Sequence, residues 1–508
     1  MNCELTVVLR LLSLLLVALS CSQSAVFSLQ TYMVIPEGGG PTKVTTAGDS
    51  SGRTKLGHVP LDVDGYPVAP PELELEQVHI YVRHGERTPV GVRMADPPAS
   101  LPKHWMFCHT ARNFHAAVAS GSRMVPGAPL VAGQDGGTGE EESLRTIRIV
   151  ERADGTAMLG ECLLGELTDV GRQTTYDFGH ALRQLYIDRL SFLPDIAKSN
   201  NEIYLRSTNV PRTVESLQQV THGLYPETKS GAGFVPVVRI RNGKDENLFG
   251  NTLVCKRLEA LQLGFAKAAA AEWNETLASL DVKLSKYIGG NPVRLDGKPR
   301  ASGILDTIRA ADAHGVNVPK EFREPGVMDL IEKAVVHEWF ADKTEEVRRL
   351  GMGPLLSDLA RKMQAKIEGS MQDPLKILIH STHDTSLAAL CSTLDVFDNR
   401  WPAFSSAVTF ELFRRHNQSR MQPTVWQNVL APFRRQRSDT SSEFYVRLRY
   451  QNRNLPLPAC APEGKHLPGS PEFCTFAAFR ERVQELTPLD WEAECATTRG
   501  SPERTSNV

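Results

Sequence analysis

The stretch Val78-His-Ile-Tyr-Val-Arg-His-Gly-Glu-Arg-Thr-Pro89 starts as an apolar strand and ends in two arginines, a histidine and a glycine. Arg83 and Arg87 keep their charge at physiological pH, and their planar guanidinium groups match phosphate oxygens. Gly85 allows a sharp backbone turn between them. A histidine in this position, His84, can act as a nucleophile or a base. The stretch therefore predicts a phosphate-handling site, although such a cluster alone is more often a solvated polar loop.

Two further predicted strands are followed by polar residues of the same kind. Arg206 ends the strand Ile203-Tyr-Leu-Arg, and His383 and Asp384 follow the strand at residues 375–379. Loops at the carboxyl ends of parallel strands line the ligand crevice of an open α/β sheet. We therefore expect one pocket to collect all three segments.

The series Arg-His-Gly-x-Arg-x-Pro with a distant His-Asp pair resembles the signature of the histidine phosphatase superfamily, in its acid phosphatase and phytase branch. The resemblance covers roughly residues 75–495. Within this branch, the sequence most resembles the lysophosphatidic acid phosphatase type, chiefly through residues 203–225. In this family pattern His383 is selected over the nearby His380, which we interpret as structural.

The resemblance also implies a role for each site residue. His84 would attack phosphorus and form a phosphohistidine, and Asp384 would protonate the leaving alcohol. Within residues 203–216, the family's strand-ending arginine maps onto Arg206 as the third phosphate ligand. The implied phosphate-binding groups are Arg83, Arg87, Arg206 and His383.

The function that follows is a metal-independent acid phosphatase that hydrolyses phosphate monoesters without a cofactor. Four cationic groups would replace a metal, and the sequence contains no convincing metal-ligand cluster. A neutral His84 and a protonated Asp384, with reference pKa values of about 6.5 and 3.9, place the working pH on the acid side. The alternatives are a catalytically silent phosphate-binding or interaction protein, or a more specialised phytase-like or lysophosphatidic acid phosphatase.

Composition sets the class of partner. The chain has 508 residues, 41% of them hydrophobic and 23% charged, which is typical of a globular protein with a sizeable core. The formal charge of −2 gives no general attraction for nucleic acid. The resemblance implies a small-molecule phosphate monoester as partner. A membrane would take part only if the N-terminal segment stays uncleaved or the substrate is a lysophospholipid, and the oligomeric state is left open.

The order of the elements predicts the fold class. Alternating strands and helices predict an α/β fold with a mostly parallel central sheet and helices on both faces. The predicted strands of this sheet are at residues 77–82, 202–205, 235–241 and 375–379, and the predicted helices at 168–190, 211–223 and 386–394. Alternating patterns at residues 407–413 and 444–450 predict antiparallel edge strands. Residues 256–365 have a helical pattern that predicts a cap.

The N-terminus indicates a secretory route. Residues 6–20 are mostly apolar, with Arg10 their only charge, and are too short for a membrane span of ~20 residues. We predict four segments: a signal peptide at residues 1–24, a mobile lead-in at 25–70, a phosphatase domain at 71–496 and a disordered tail at 497–508. A secreted or lysosomal and vesicular protein is expected, and a signal-anchored or mitochondrial one is the alternative. Sequons at Asn274 and Asn417 are compatible with glycosylation.

The cysteines support that route. Seven cysteines remain if Cys3 and Cys21 leave with the signal peptide, and an odd number leaves at least one thiol unpaired in a monomer. We expect Cys391, in an apolar run, to be the buried free thiol. Cys460 and Cys474 flank a loop rich in Pro and Gly and are the expected disulfide, and the other pairings are left open.

Overall fold

The computed structural model describes residues 59–117, 143–231, 234–369, 373–416 and 444–496. The predicted signal peptide, most of the lead-in, Asn417 and the tail lie outside these residues. Within the described end of the lead-in, Tyr66 is buried and its hydroxyl donates to Glu411 Oε1 at 2.8 Å. The prediction of a mobile lead-in up to residue 70 is therefore wrong at its C-terminal end, because this aromatic ring packs on the sheet.

The described strands form one large sheet and two separate pairs. In chain order they are β1 (Leu73–Arg83), β2 (Asn113–Ala117), β3 (Ser143–Ile147), β4 (Val150–Glu151), β5 (Ala157–Met158), β6 (Ile203–Ser207), β7 (Val238–Ile240), β8 (Ile377–Thr382), β9 (Ala407–Arg415), β10 (Phe444–Tyr450), β11 (Arg453–Asn454), β12 (His466–Leu467) and β13 (Ser470–Thr475). The large sheet has the order β12-β13-β10-β9-β1-β8-β6-β7, with β11 paired to β10. The pairs are β2 with β3 and β4 with β5.

The described α-helices lie between and after these strands. They are α1 (Asp169–Arg183), α2 (Pro211–Leu224), α3 (Lys256–Leu277), α4 (Asp281–Leu284), α5 (Ala301–Ala313), α6 (Val327–Phe340), α7 (Glu345–Gly351), α8 (Gly353–Gly369), α9 (Asp384–Thr393), α10 (Phe476–Leu486) and α11 (Trp491–Cys495). Thr168 caps α1 by accepting a hydrogen bond from the backbone of Gly171, and Pro211 occupies the first turn of α2. Among these helices none is long and apolar enough to cross a membrane.

Strand direction confirms the predicted fold class. β1, β8, β6 and β7 are parallel to one another, whereas β9, β10, β13 and β12 continue the sheet in antiparallel order. The antiparallel part contains both predicted edge strands and also β11, β12 and β13. β11 and β12 have only two residues each, too few to show an alternation in the sequence.

Two hydrophobic clusters cover the faces of the sheet. Successive side chains of a strand point to opposite faces. From β1, Val78, Ile80 and Val82 therefore join a cluster with residues of α1 and α2, whereas Tyr81 joins a second cluster with α8, α9 and α10. Burial on both faces explains why β1 is nearly continuously buried towards its end, as expected for a central parallel strand.

The region predicted as a helical cap is helical, but its C-terminal helix α8 packs with the sheet and not with the other cap helices. Helices α3, α5 and α6 share a cluster of their own that includes Ile304 and Ile331. In contrast, Leu356 and Met363 of α8 belong to the cluster that covers the sheet, together with Phe410 of β9. The C-terminal part of the predicted cap is therefore a sheet-covering helix.

Three disulfides join described residues. They are Cys108–Cys162, Cys255–Cys495 and Cys460–Cys474. The predicted disulfide between Cys460 and Cys474 is confirmed. The predicted buried free thiol at Cys391 is confirmed as well. The second bridge spans 240 residues and joins the start of α3 to the C-terminal α11.

A buried ion pair connects the antiparallel strands. Arg447 of β10 lies opposite Glu411 of β9, and both side chains are fully buried. Glu411 Oε2 accepts from Arg447 Nε at 2.8 Å, and its Oε1 accepts from the hydroxyls of Tyr66 and Tyr186 at 2.8 and 3.0 Å. Each oxygen of this carboxylate thus has partners, which offsets the cost of burying its charge.

We predict that Arg447→Met lowers the free energy of unfolding by about 3–5 kcal/mol, because it leaves a buried carboxylate without its cation. The double variant Arg447→Met/Glu411→Gln removes both charges and should lose less than the sum of the two single variants. Urea unfolding of the four proteins measures both quantities. A single Arg447→Met variant as stable as the wild type would show that this pair does not hold the strands together.

Candidate active site

The carboxyl ends of three parallel strands lie side by side. β8 is paired with β1 on one side and β6 on the other, with Arg83 opposite Thr382 and Ser207 opposite Ser381. The loops that follow these strands therefore start at one edge of the sheet. This places the segments beginning at residues 84, 208 and 383 next to each other.

The tautomer of His84 is fixed by a local contact. Its Nδ1 lies 2.8 Å from the carbonyl oxygen of Gly85, which only accepts hydrogen bonds. Nδ1 therefore carries the proton in the neutral ring, and Nε2 keeps a lone pair. Burial lowers the pKa of His84 well below 6.5, and the charges of Arg83 and Arg212 lower this pKa further. Both effects favour the neutral, basic form of the imidazole.

Gly85 is required by a close backbone approach. A Cβ atom at this position would lie 2.3 Å from the carbonyl oxygen of Gly171, at the start of α1. The backbone N–H of Gly85 donates to Ser216 Oγ at 3.1 Å. The turn that carries His84 is therefore packed tightly between α1 and α2, and these contacts fix the position of the turn.

Arg83 joins the first strand to the proton donor predicted from the sequence. Its Nη2 lies 2.7 Å from Asp384 Oδ2, and its Nη1 donates to the carbonyl oxygen of Pro402 at 2.6 Å. The guanidinium carbon stands 3.9 Å from the centre of the Phe404 ring. Burial lowers the pKa of Arg83 to about 10, so it stays charged in acid and at neutral pH.

Arg87 is oriented by the cap. Its Nη1 donates to Asp306 Oδ1 of α5 at 2.7 Å and to the carbonyl oxygen of Thr88 at 3.0 Å. Asp306 Oδ2 also accepts from the backbone N–H of Val90 at 3.0 Å. The cap helix thus orients a residue of the strand-end cluster. No signal in the sequence identified Asp306.

The structure does not bring Arg206 into this cluster. Its guanidinium is paired with Glu246, and its Nη1 is 3.8 Å from Asp358 of α8. The side chain is only 1% exposed. The expectation that Arg206 is the third phosphate ligand is corrected for a simple reason: strand alternation directs this side chain onto the α8 face, opposite to Leu205, rather than beyond the sheet edge.

Arg212, in the same segment as Arg206, is the arginine whose charge acts on this cluster. It is the second residue of α2 and is separated from Arg206 by five residues. Its charge lowers the pKa of both His84 and His383. Burial and the charge of Arg87 lower its own pKa to about 10. The signal that could have found it is its position just after a strand-end loop, at a helix start.

His383 lies between the loops that follow β8 and β6. Its Nε2 is 3.1 Å from Thr208 Oγ1, and its ring centre is 5.7 Å from that of His84. Burial, followed by the charge of Arg212, lowers the pKa of His383 to about 4. The ring is therefore a neutral hydrogen-bonding group in the free protein and not the fourth cation that the sequence suggested. His380 lies outside this cluster and stacks on Tyr81 at 4.6 Å.

Asp384 opens helix α9 and is held by two donors besides Arg83. Trp401 Nε1 donates to its Oδ2 at 3.1 Å, and the backbone N–H of Thr385 donates to its Oδ1 at 2.8 Å. Burial raises the pKa of Asp384, but the charges of Arg83 and Arg87 outweigh it and bring the pKa to about 2. In the free protein this carboxylate is therefore ionised.

Comparisons with known proteins identify the family of this chain. A family model described as the histidine phosphatase superfamily (branch 2) matches residues 74–451. A probable acid phosphatase of Schizosaccharomyces pombe is 33% identical over 452 residues, which covers 84% of this chain and 95% of that protein. The mouse lysophosphatidic acid phosphatase type 6 is 25% identical over 361 residues, covering 68% of this chain and 77% of that one.

A solved structure with a similar chain trace is the apo form of a Hafnia alvei phytase. It has 14% sequence identity and a TM-score of 0.49, and the match covers 84% of this chain and 99% of the phytase. The extent of the family match and the identity to the yeast protein decide the assignment. The chain belongs to branch 2 of the histidine phosphatase superfamily.

Proposed function

We propose that this histidine acid phosphatase hydrolyses phosphate monoesters through a phosphohistidine formed on His84. The observation that carries the proposal is the neutral His84, with its Nδ1 hydrogen-bonded to Gly85, beside Arg83 and Arg212. A ring that keeps a lone pair on Nε2 among cations can attack a phosphorus atom whose oxygens those cations hold.

The three arginines supply the charge for phosphate binding. Arg83, Arg87 and Arg212 would contact the phosphoryl oxygens, and His383 would donate a hydrogen bond from its neutral ring. Phosphoryl transfer depends above all on positioning and on stabilising the charge of the equatorial oxygens. Fixed arginines provide both, so the proposed reaction does not require a metal ion or a cofactor.

The chemical steps then follow from the arrangement. Nε2 of His84 forms a bond to phosphorus while the bond from phosphorus to the ester oxygen breaks, and Asp384 gives its proton to that oxygen. Water next attacks the phosphohistidine, returns a proton to Asp384 and releases inorganic phosphate. The alcohol and phosphate together contain the atoms of the ester and one water molecule.

The state of Asp384 links substrate binding to acid pH. Arg83 and Arg87 lower the pKa of Asp384 in the free protein, so the carboxylate starts without a proton. A bound phosphate shares these arginines and adds negative charge beside the carboxylate, which raises the pKa of Asp384. Acidic solution favours the protonated donor, while His84 stays neutral because its own pKa is strongly lowered.

The secretory route is also part of the proposal. Three disulfides among described residues fit an oxidising compartment, and the apolar N-terminal segment fits a cleaved signal peptide. Within the first sequon, Asn274 Nδ2 donates to Asp296 Oδ1 at 2.9 Å, and its Oδ1 accepts from the backbone of Leu295 at 3.0 Å. Glycosylation at this asparagine would disturb the first of these bonds.

The silent-binding alternative is less well supported. A protein that only binds phosphate would need the arginines but not a neutral histidine held beside a buried carboxyl. Both His84 and Asp384 are present in one cluster with Arg83. The choice between a broad phosphatase and a specialised phytase-like or lysophosphatidic acid phosphatase depends on where the leaving group binds.

We predict that His84→Ala lowers kcat for phosphate monoesters by a factor on the order of 10⁴ or more, because the nucleophile is lost. Asp384→Ala should lower hydrolysis of an alkyl phosphate by about 10²–10⁴. It should affect p-nitrophenyl phosphate much less, because that leaving group departs without a proton. Steady-state assays with a chelator present measure these effects, with His416→Ala, an exposed histidine, as the matched control.

Two outcomes would contradict this proposal. One is full activity of His84→Ala. The other is complete loss of wild-type activity on chelation, which would show that a metal ion supplies the chemistry.

We predict that substitution of the two arginines of the 203–216 segment affects different properties, catalysis for Arg212 and stability for Arg206. Arg212→Gln should lower kcat/KM by about 10²–10³ without changing the melting temperature, because it removes one phosphate donor. It should also move the acid limb of the kcat/KM profile to higher pH, since loss of a nearby cation raises the pKa of His84. Arg206→Met should destabilise the fold by about 3–5 kcal/mol, because it leaves the buried Glu246 unpaired.

Calorimetry and pH–rate profiles of both variants test the assignment. If Arg206→Met stays fully folded but is as inactive as Arg212→Gln, Arg206 belongs to the phosphate site after all. If Arg212→Gln keeps wild-type kcat/KM, Arg212 is not a phosphate ligand.

A further inference from the structure

Two buried arginines of β10 lie on the same face of the sheet. Arg447 and Arg449 are two residues apart in the strand, so their side chains point to the same face. In the neighbouring strand β9, Arg447 lies opposite Glu411, whereas Arg449 lies opposite Thr409. Only the first of the two arginines therefore has a carboxylate as its cross-strand neighbour.

The two arginines differ in what contacts the same edge of the guanidinium group. Nε and Nη2 of Arg447 each lie 2.8 Å from Oε2 of Glu411. The corresponding Nε and Nη2 of Arg449 are buried and have no hydrogen-bond partner among the described residues. The parallel N–H groups of this edge can hold one negatively charged acceptor between them, as they do in Arg447.

Glu411 is already occupied and does not serve Arg449 as well. Its Oε1 accepts from the hydroxyls of Tyr66 and Tyr186, and its Oε2 accepts from Arg447. Arg449 is only 4% exposed, and its guanidinium carbon lies 4.4 Å from the centre of the Tyr66 ring. Such a stack compensates only part of the cost of burying a charge. Within this group of side chains, two buried cations thus share one carboxylate.

Arg449 lines a cavity of about 30 Å³. The other polar residues of the lining are Ser405, Ser406, Thr409, Gln451 and Asn452. No carboxylate is among the described residues that line it. Hydroxyl and amide groups can donate hydrogen bonds to an anion. Thr409 and Gln451 are only half-buried, so a small solute can exchange with the solvent.

The size of the cavity limits what it can hold. A single buried water needs about 10–15 Å³ on this measure, so the space holds about two particles of that size. A monatomic anion fits into it, whereas a phosphate or sulfate ion, with five heavy atoms, does not. The buried cation, the hydroxyl groups and the small volume together favour a halide ion.

The cavity lies behind the loop that carries His84. The backbone N–H of Ser405 donates to the carbonyl oxygen of His84 at 3.3 Å, and the carbonyl oxygen of Ser406 accepts from the backbone N–H of Arg83 at 2.9 Å. Neither His84 nor any of the arginines proposed to bind phosphate lines the cavity. The site is therefore separate from the candidate active site, although two of its lining residues support the loop of that site.

We propose that this cavity binds a halide ion, in nature chloride, and that Arg449 is the principal ligand of the ion. The ion lies at the Nε and Nη2 edge of Arg449, accepts a hydrogen bond from the hydroxyl of Thr409 and neutralises the unpaired charge. The site exists only in the folded chain, because it joins β9, β10 and residues 405–406. Chloride binding therefore stabilises the fold.

The test compares the melting temperature of the full-length protein in sodium chloride and in sodium gluconate at constant ionic strength. Gluconate is too large for the cavity. Inorganic phosphate is present throughout at one fixed concentration, so that it and not the halide occupies the cationic cluster at His84. We expect the wild-type melting temperature to rise with chloride, by about 2–5 °C at ~100 times the dissociation constant.

Substitutions on the two strands identify the ligands. Arg449→Met should abolish the rise with chloride, while its melting temperature in gluconate stays at or above the wild-type value because an unpaired buried charge is gone. Arg415→Met replaces an exposed arginine at the end of β9 and is the matched control, which should keep the full rise. Thr409→Val should weaken chloride binding by about tenfold or more, and it tests the site even if Arg449→Met folds poorly.

Bromide locates the ion directly, because its anomalous scattering distinguishes it from water. A crystal of the wild type soaked in bromide should show an anomalous peak beside Nε and Nη2 of Arg449, and a crystal of Arg449→Met should not. An equal rise with chloride in the wild type and in Arg449→Met would overturn the inference. So would the absence of any rise in the wild type, unchanged chloride binding by Thr409→Val, or bromide peaks only outside the cavity.

Discussion

The hydrogen bond from Nδ1 of His84 to the carbonyl oxygen of Gly85 is the contact on which the proposed chemistry depends. It fixes the tautomer of the imidazole, and burial beside Arg83 and Arg212 keeps the ring neutral. In the proposed mechanism these cations therefore have two effects: they attract the phosphate, and they favour the neutral form of His84. Gly85 makes the turn possible because Gly171 leaves no space for a side chain.

The second constraint is the ion pair between Arg83 and Asp384, which joins the ends of β1 and β8. In the free protein it keeps the carboxylate ionised, whereas bound phosphate weakens its hold by sharing the arginine. In the proposed mechanism, the bound substrate thus prepares Asp384 to donate the proton that the leaving group needs. On the far side of Asp384, Trp401 connects the same carboxylate to α6 of the cap, through ring contacts with Trp339 and Phe340.

Much of this arrangement could be predicted from the sequence, because short motifs at strand ends carry it. The first motif and the His383-Asp384 pair follow buried strands, and the parallel sheet brings them together. Arg206 ends a strand, and the sequence analysis did not consider which face of the sheet its side chain occupies. Arg212, by contrast, lies beyond the end of the strand. Asp306 could not be found, since its partnership with Arg87 joins residues more than two hundred positions apart.

The most direct test of the central claim is to trap the enzyme during turnover. The wild-type protein is mixed with a phosphate monoester in acid, quenched into alkali on the millisecond scale and mapped by peptide mass spectrometry. The mechanism predicts a base-stable phosphate on the peptide carrying His84, formed before the second turnover and absent from His84→Ala. A phosphate found on another residue, or steady turnover of His84→Ala at the wild-type rate, would contradict it.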